Sequence, residues 1–465
     1  MIPITVREFA KIVHATAVTG DDNNRAVTVS GVQVDTRKIQ PGDAFVAFEG
    51  AQTDGHLFVN NAFDCGASVA IVGKPVKTDG GCVIQVEAPL TAIQALAKHE
   101  RSTFTGPVVG VTGSNGKTTT KQMVAAVLGG AKSCLYTQGN FNNELGLPLT
   151  ILQRTPAHRA MVLEMGMRGF GQIASLCDIA QPNIGIITNI GQSHIELLGS
   201  QAGIAKAKAE LLAALPASGC AILNQDDDFL VQVAEQTKAP VIWYGLQSDA
   251  DVHARDITWT KEGMRFTAVV FGQTQQMFLP TYGHHNILNA LAATAVGHAT
   301  DIPLPQISER LAALEELSGR LNILQGKDQT TIIDDCYNAS PLSVTASLNV
   351  LAELAPENQR IAILGDMFEL GWFAEQGHRQ VGEHAAQVGV SRLMAVGDDA
   401  RWIAEAARTG GVKDVIHAPT VETAISQLAA WIEPQTTVLV KASRGMHLER
   451  IVAALTTSEV GTAEK

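Results

Sequence analysis

The chain has 465 residues, 46% of them apolar and 17% charged, with 34 basic against 46 acidic side chains and a net charge of −12. That length suits about three domains, and the mix buries several cores, which excludes a disordered or linker-like chain. No basic block occurs, which argues against nucleic acid or an anionic membrane surface as partner; any anionic ligand must be held by a local site. The closest two of the six cysteines, Cys65 and Cys82, are far from zinc-type spacing, and scattered thiols suit a reducing compartment. Arg7, Glu8 and Lys11 stand where a leader would be apolar, and no uncharged apolar run approaches the length of a membrane span. The expectation is a cytoplasmic, monomeric protein without membrane insertion.

Strand-like runs at 44–48, 69–72 and 82–86 are separated by turns such as Pro41-Gly42-Asp43 and Asp79-Gly80-Gly81. A helical pattern over 91–99 leads into Pro107. Beyond it, continuous apolar runs at 108–111, 161–163, 184–187 and 221–223 alternate with helices, the texture of a parallel sheet covered on both faces. Residues 250–282 break the rhythm with two alternating runs joined through Lys261-Glu262-Gly263, a hairpin-like insertion. A helix over 286–299, Pro303, Pro305 and a second helix to Leu317 follow. A fresh alternation begins near Ser318, with strands expected at 331–333, 361–364, 393–396 and 438–440. The fold class is α/β in three domains: 1–84 small and mixed, 85–314 central with a parallel sheet, and 315–465 Rossmann-like.

The sharpest motif is Gly110-Val111-Thr112-Gly113-Ser114-Asn115-Gly116-Lys117-Thr118-Thr119, which leaves a buried strand and opens a helix. Glycines let backbone N–H groups converge on phosphate oxygens, and the helix N-terminus adds a favourable dipole. Gly113, Ser114, Asn115, Gly116 and Thr119 would cradle the phosphates of ATP, Lys117 would meet the β/γ-phosphates, and the Thr118 hydroxyl would ligate Mg²⁺. The spacing is GxxGxxGKTT rather than the ordinary phosphate-loop pattern.

That variant resembles the Mur ligase family, ATP-dependent enzymes that build the peptide stem of bacterial cell-wall precursors. The likeness extends through Asp35-Thr36-Arg37, Thr188-Asn189-Ile190-Gly191 to His194, Gly283-His284-His285-Asn286, Asp334-Asp335-Cys336-Tyr337-Asn338 and Lys441-Ala442-Ser443-Arg444-Gly445. Within the family, Gly139-Asn140-Phe141-Asn142-Asn143-Glu144 and Gly365-Asp366-Met367-Phe368-Glu369-Leu370-Gly371 look like the member acting last. The resemblance implies joining D-Ala-D-Ala to UDP-N-acetylmuramoyl-tripeptide through an acyl phosphate. It implies a UDP-sugar-binding first domain, an ATP-binding second and a third for D-Ala-D-Ala. A sister ligase adding a diamino acid at the third stem position remains an alternative, as does an ATP-gated binding module. Ser340-Pro341-Leu342-Ser343 and Trp372-Phe373 depart from the family's pattern.

Glu164 ends a strand at the sheet edge that carries the phosphate loop, and its hard oxygens suit Mg²⁺. His194 is a metal ligand by resemblance, since imidazole is not a favoured Mg²⁺ donor. Asn286 and Asn289 share a helix face and suit a purine edge, although Asn286 also suits a helix cap. Arg320 at the domain junction would reach the nucleotide, and Asp335 would accept ribose hydroxyls. Thr36 and Arg37 would contact the uridine or its diphosphate, with a surface turn as the alternative. Asn140, Asn142 and Asn143 offer amides to a peptide or muramoyl group. By resemblance Asn338 belongs with the substrate, and Ser443 with Arg444 would hold the D-Ala-D-Ala carboxylate.

The resemblance also marks Lys208 as a lysine carbamylated by CO₂, able to bind a second Mg²⁺. Helical geometry separately turns Lys208 into the apolar face of Ile204, Leu211, Leu212 and Leu215, and turns Lys206 outward beside Glu210 as an i,i+4 pair.

Overall fold

The computed structural model describes residues 1–20, 28–50, 53–130, 132–315 and 319–456. Three larger sheets organise them. The first has five strands in the order Ala17–Thr19, Cys82–Gln85, Val69–Val72, Asp43–Val46 and Gly31–Gln33. Only its Ala17–Thr19 edge is antiparallel.

The central sheet has nine strands, in the order Gln273–Leu279, Gly263–Val270, Val252–Thr260, Val241–Gly245, Cys220–Asn224, Ile184–Ile187, Val108–Thr112, Ala160–Glu164 and Cys134–Tyr136. From Cys134–Tyr136 to Val252–Thr260 all pairings are parallel. The strand Val108–Thr112 is wholly buried, as a strand covered on both faces must be. In register, Glu164 stands beside Val111 and Ile187 beside Thr112, so the segments leaving these three strands share one sheet edge. The chain order reverses at this place, where open α/β sheets form ligand crevices.

The region 250–282 is not a two-stranded insertion. Its three strands continue the central sheet, and the last, Gln273–Leu279, pairs antiparallel with Gly263–Val270. The sequence QTQQMFL hides that edge strand because only Met277 and Leu279 are buried. The helix expected to run to Leu317 spans Leu304–Ala312, and 316–318, with Ser318, lie outside the described residues.

The third sheet runs Asn322–Gln325, Thr331–Asp334, Thr437–Lys441, Arg360–Gly365, Arg392–Val396 and Asp414–Ala418, antiparallel only at its first pair. Its two edge strands escape the sequence pattern because neither has a continuous apolar run. An apolar cluster spanning residues of all three sheets joins the units.

Candidate active site

Gly113 adopts φ +148, and a Cβ there would collide with the Thr188 hydroxyl, so only glycine fits this turn. The adjoining segment braces the phosphate loop. Asn189 Oδ1 accepts from Asn115 N at 3.0 Å, its Nδ2 donates to Asn115 O at 3.0 Å, and Thr188 Oγ1 donates to the same carbonyl at 2.6 Å. Gly191 N donates to Ser114 Oγ at 2.8 Å. Thr188 and Asn189 therefore have a bracing role that the sequence pattern did not disclose.

The helix Lys117–Val127 starts at Gly116. Lys117 Nζ folds onto the loop, donating to Gly113 O at 2.7 Å and Ser114 O at 3.1 Å. Burial pulls its pKa down, opposed by Glu164 and reinforced by Arg320. Asn115 Nδ2 is buried without a hydrogen-bond partner, a spare donor within the loop. Spare amide hydrogen at a helix N-terminus fits a nucleotide phosphate.

Glu164 is 3% exposed. Its Oε1 accepts from Asn142 Nδ2 at 2.9 Å. Its Oε2 faces Lys121 Nζ at 3.3 Å, an ion pair that lacks hydrogen-bond alignment and leaves lone-pair capacity unused. His194 lies on the same cleft; its Nδ1 is 2.9 Å from Glu369 Oε2, also out of alignment. Among the described residues no group of three His, Cys, Asp or Glu side chains gathers as a cation cage. A Mg²⁺ bound by Thr118, Glu164 or His194 would therefore need water or phosphate oxygens to complete its coordination.

Lys208 is 2% exposed, and burial together with Lys117 pushes its pKa well down. A neutral amine is the form that carbamylation requires. The expected Lys206–Glu210 pair does not form. The helix Gln201–Lys208 ends before Glu210, whose carboxylate accepts from Gly171 N at 2.6 Å and Ala174 N at 2.9 Å. It serves the N-terminus of the helix Gln172–Ala180, where negative charge is favoured.

Asn286 and Asn289 line the cleft, but their amides are already engaged. Asn289 Nδ2 donates to Asn286 Oδ1 at 3.0 Å and Asn289 Oδ1 accepts from Thr120 at 3.0 Å; Asn286 Nδ2 donates to Tyr282 O at 2.8 Å. Arg320 reaches the loop, its Nη2 donating to Thr118 Oγ1 at 3.1 Å while its guanidinium lies over Tyr337 at 4.3 Å. Asp335 is held by Lys441 Nζ at 2.6 Å and Ser347 Oγ at 2.5 Å.

A cleft of about 1460 Å³ brings together 114–119, Asn140, Asn142, Asn143, Glu164, His194, Lys208, Asn286, Asn289, Arg320, Asp335 and Asn338. Gly113 itself is not among the residues that line it. Asn143 Oδ1 caps a turn by accepting from Gly146 N at 2.8 Å. Thr36 and Arg37 lie apart from this cleft, Arg37 paired with Asp35 at 2.8 Å and largely exposed. Ser443 Oγ accepts from Phe368 N at 2.9 Å, and Arg444 is exposed, 3.6 Å from Glu449; neither lines the cleft. Lys121 and Glu369 were not foreseen as site residues.

Three sequence models match: the Mur ligase family catalytic domain over residues 28–101, the Mur ligase middle domain over 111–297, and the Mur ligase glutamate ligase domain over 319–444. A UDP-N-acetylmuramoyl-tripeptide–D-alanyl-D-alanine ligase of Bacillus subtilis is 36% identical, covering 98% of this chain and 99% of its own. The chain belongs to the Mur ligase family. The same-named ligase of Escherichia coli is 35% identical over the same shares of both chains. Among solved Mur ligases, a MurF crystal structure from Acinetobacter baumannii superposes with a TM-score of 0.87 at 31% identity, covering 97% of this chain and 98% of that one. MurF from Thermotoga maritima in complex with ADP gives 0.81 at 28% identity, covering 92% and 97%. This Mur ligase therefore shares sequence with these relatives over 98% of its length, and architecture with the two solved structures over 97% and 92%.

Proposed function

We propose that this Mur ligase joins D-Ala-D-Ala to UDP-N-acetylmuramoyl-tripeptide, cleaving ATP to ADP and phosphate and yielding UDP-N-acetylmuramoyl-pentapeptide. The observation that carries this is similarity over 98% of the chain to ligases of that name. Residues 114–119, Glu164, His194 and Lys208 all line the same cleft, which is consistent with this reading.

A carboxylate is a poor electrophile and must be activated. A tripeptide carboxylate oxygen bonds to the γ-phosphorus of ATP and ADP leaves. The amine of D-Ala-D-Ala then bonds to the acyl carbon, loses a proton, and phosphate departs as the amide forms. Two anions must approach in the first step, so charge neutralisation and positioning supply most of the rate. Lys117 and Arg320 bring positive charge to the phosphates, and the 113–119 backbone orients them. Thr118 and Glu164 would hold one Mg²⁺, and Lys208 as its CO₂ carbamate, beside His194, a second; the ions would neutralise charge between nucleotide and peptide carboxylate. Asn286, Asn289 and Asp335 would meet the nucleoside once their present partners yield.

In this reading residues 1–84 take the UDP-sugar through Thr36 and Arg37, 85–314 take ATP, and 315–465 take D-Ala-D-Ala through Asn338, Ser443 and Arg444. Asn140, Asn142 and Asn143 would meet the peptide or muramoyl portion. The protein would work as a cytoplasmic monomer; among the described residues no helix is long and apolar enough to cross a membrane. The test is coupling of radiolabelled D-Ala-D-Ala to the UDP-tripeptide, against lysine or diaminopimelate with the UDP-dipeptide. Incorporation of a diamino acid would transfer the chain to the sister ligase. Nucleotide binding without peptide-dependent ADP release would leave only a binding module.

A further inference from the structure

Glu369 belongs to none of the roles above, yet it makes the contact that crosses from the third sheet's unit to His194. Its Oε2 lies 2.9 Å from His194 Nδ1, and its Oε1 lies 3.4 Å from Arg168 Nη2. The segment carrying it is anchored on both sides. Met367 N donates to His378 Nε2 at 2.9 Å, and Phe368 N donates to Ser443 Oγ at 2.9 Å. Leu370 is buried, and a Cβ added to Gly371 would meet Glu196 Cγ at 2.6 Å, so the segment seats closely on the turn that follows His194. Glu369 itself holds φ +62, a left-handed conformation that a non-glycine residue rarely adopts. Such strain persists only where surrounding structure fixes it.

A histidine that ligates a cation usually gives its other ring N–H to a carboxylate or carbonyl, which fixes both tautomer and ring orientation. His194 has Glu369 Oε2 2.9 Å from Nδ1, within hydrogen-bond reach once ring and carboxylate are brought into line. We propose that Glu369 is a positioning residue: docked from the third unit, its carboxylate accepts the Nδ1 proton of His194 in a hydrogen bond and so leaves Nε2 as the lone-pair nitrogen. Docking of the unit that would carry the incoming amine thereby completes a site on the central unit. The exposed Arg168 pair steers the carboxylate and contributes little by itself.

The proposal rests on the ligase reading and on His194 acting at this site. Its test uses the full chain labelled with ¹⁵N-histidine, with the His194 ring signals assigned by their loss in His194→Gln. The wild type is expected to show the Nδ1–H tautomer. Glu369→Leu, which removes the acceptor, should shift it towards Nε2–H and lower kcat about tenfold or more, leaving KM for ATP unchanged. Glu369→Gln keeps an oxygen acceptor and should retain the tautomer and most of the lost rate. A wild-type tautomer or a wild-type kcat in Glu369→Leu overturns the proposal, as does a Gln variant no better than Leu. If the wild type fails to couple D-Ala-D-Ala, the ligase reading falls instead, and the tautomer measurement still decides the hydrogen bond.

Discussion

Lys121 and Glu164 face each other at 3.3 Å with side chains 1% and 4% exposed, a buried ion pair between the helix Lys117–Val127 and the end of the strand Ala160–Glu164. Burial pulls the Lys121 pKa down and the carboxylate of Glu164 pulls it back up, so the lysine's charge depends on its partner. Lys121 lies one helical turn beyond Lys117 and faces inward with Val124 and Ala125. Removing one member of such a pair leaves the other's charge buried and unpaired and costs about 3–5 kcal/mol. Lys121→Met should therefore lower the unfolding free energy by about that amount. Adding Glu164→Gln removes the stranded charge, and the double variant should recover at least half of the loss in urea denaturation. A double variant less stable than Lys121→Met would show that the two side chains are not energetically coupled.

Lys117→Ala should leave the fold intact and remove turnover. Lys117 is placed to meet charge that shifts towards the γ-phosphate as the reaction proceeds, so its loss falls on kcat rather than on KM. A loss of about 10²–10³ in kcat is expected from deleting one electrostatic stabiliser. Single-turnover ADP release alongside near-UV circular dichroism checks both halves. A near-wild-type kcat would remove the loop from the mechanism.

The glycine-rich turn between strand and helix was legible because its geometry is local. Gly113 and Gly116 mark backbone conformations at φ +148 and +79, and Lys117 follows at once. The αβ rhythm was legible for the same reason, since buried parallel strands are continuous apolar runs. What escaped was set by distant partners. Glu210 is drawn away from Lys206 by the free N–H groups of a helix about 40 residues earlier in the chain. The spacing of Asn286 and Asn289 put them on one face, but Thr120 and Tyr282 decide where their amides point. Glu369 and Lys121 acquire meaning only through His194 and Glu164, contacts that no local pattern encodes.

His285 provides a pH dependence with a defined sign. Its half-buried ring lines the cleft, and desolvation lowers its pKa from 6.5 to about 4, against the pull of Asp335 and with help from Lys441 and His284. The folded state therefore keeps the ring neutral where the unfolded chain protonates it. Unfolding binds a proton between about pH 6.5 and 4, so stability is full above that window and falls as the pH drops through it. His285→Gln should flatten the stability profile between pH 6.5 and 4.5 relative to the wild type. Equal slopes in urea midpoints across that range would count against the neutral ring.

Lys208 carries the last prediction. Its side chain is 2% exposed, and its pKa is pushed well down by burial first and by Lys117 second. Beside His194 on the cleft wall, an ammonium would repel Mg²⁺, whereas a neutral amine can add CO₂ to give an anionic oxygen ligand. A lysine whose stem merely packs against Leu211 and Leu212 would need none of this. The two cases separate by experiment. If the carbamate operates, Lys208→Ala should be nearly inactive, and a small carboxylate such as acetate should restore part of the rate by supplying the missing oxygens. Lys206→Ala, on the exposed side of the same helix, should behave like the wild type. In ¹³C-bicarbonate the wild type should show a carbamate carbon resonance that Lys208→Ala lacks, and chelation of Mg²⁺ should weaken it. Full activity of Lys208→Ala, or a wild-type spectrum without that resonance, would return Lys208 to a packing role.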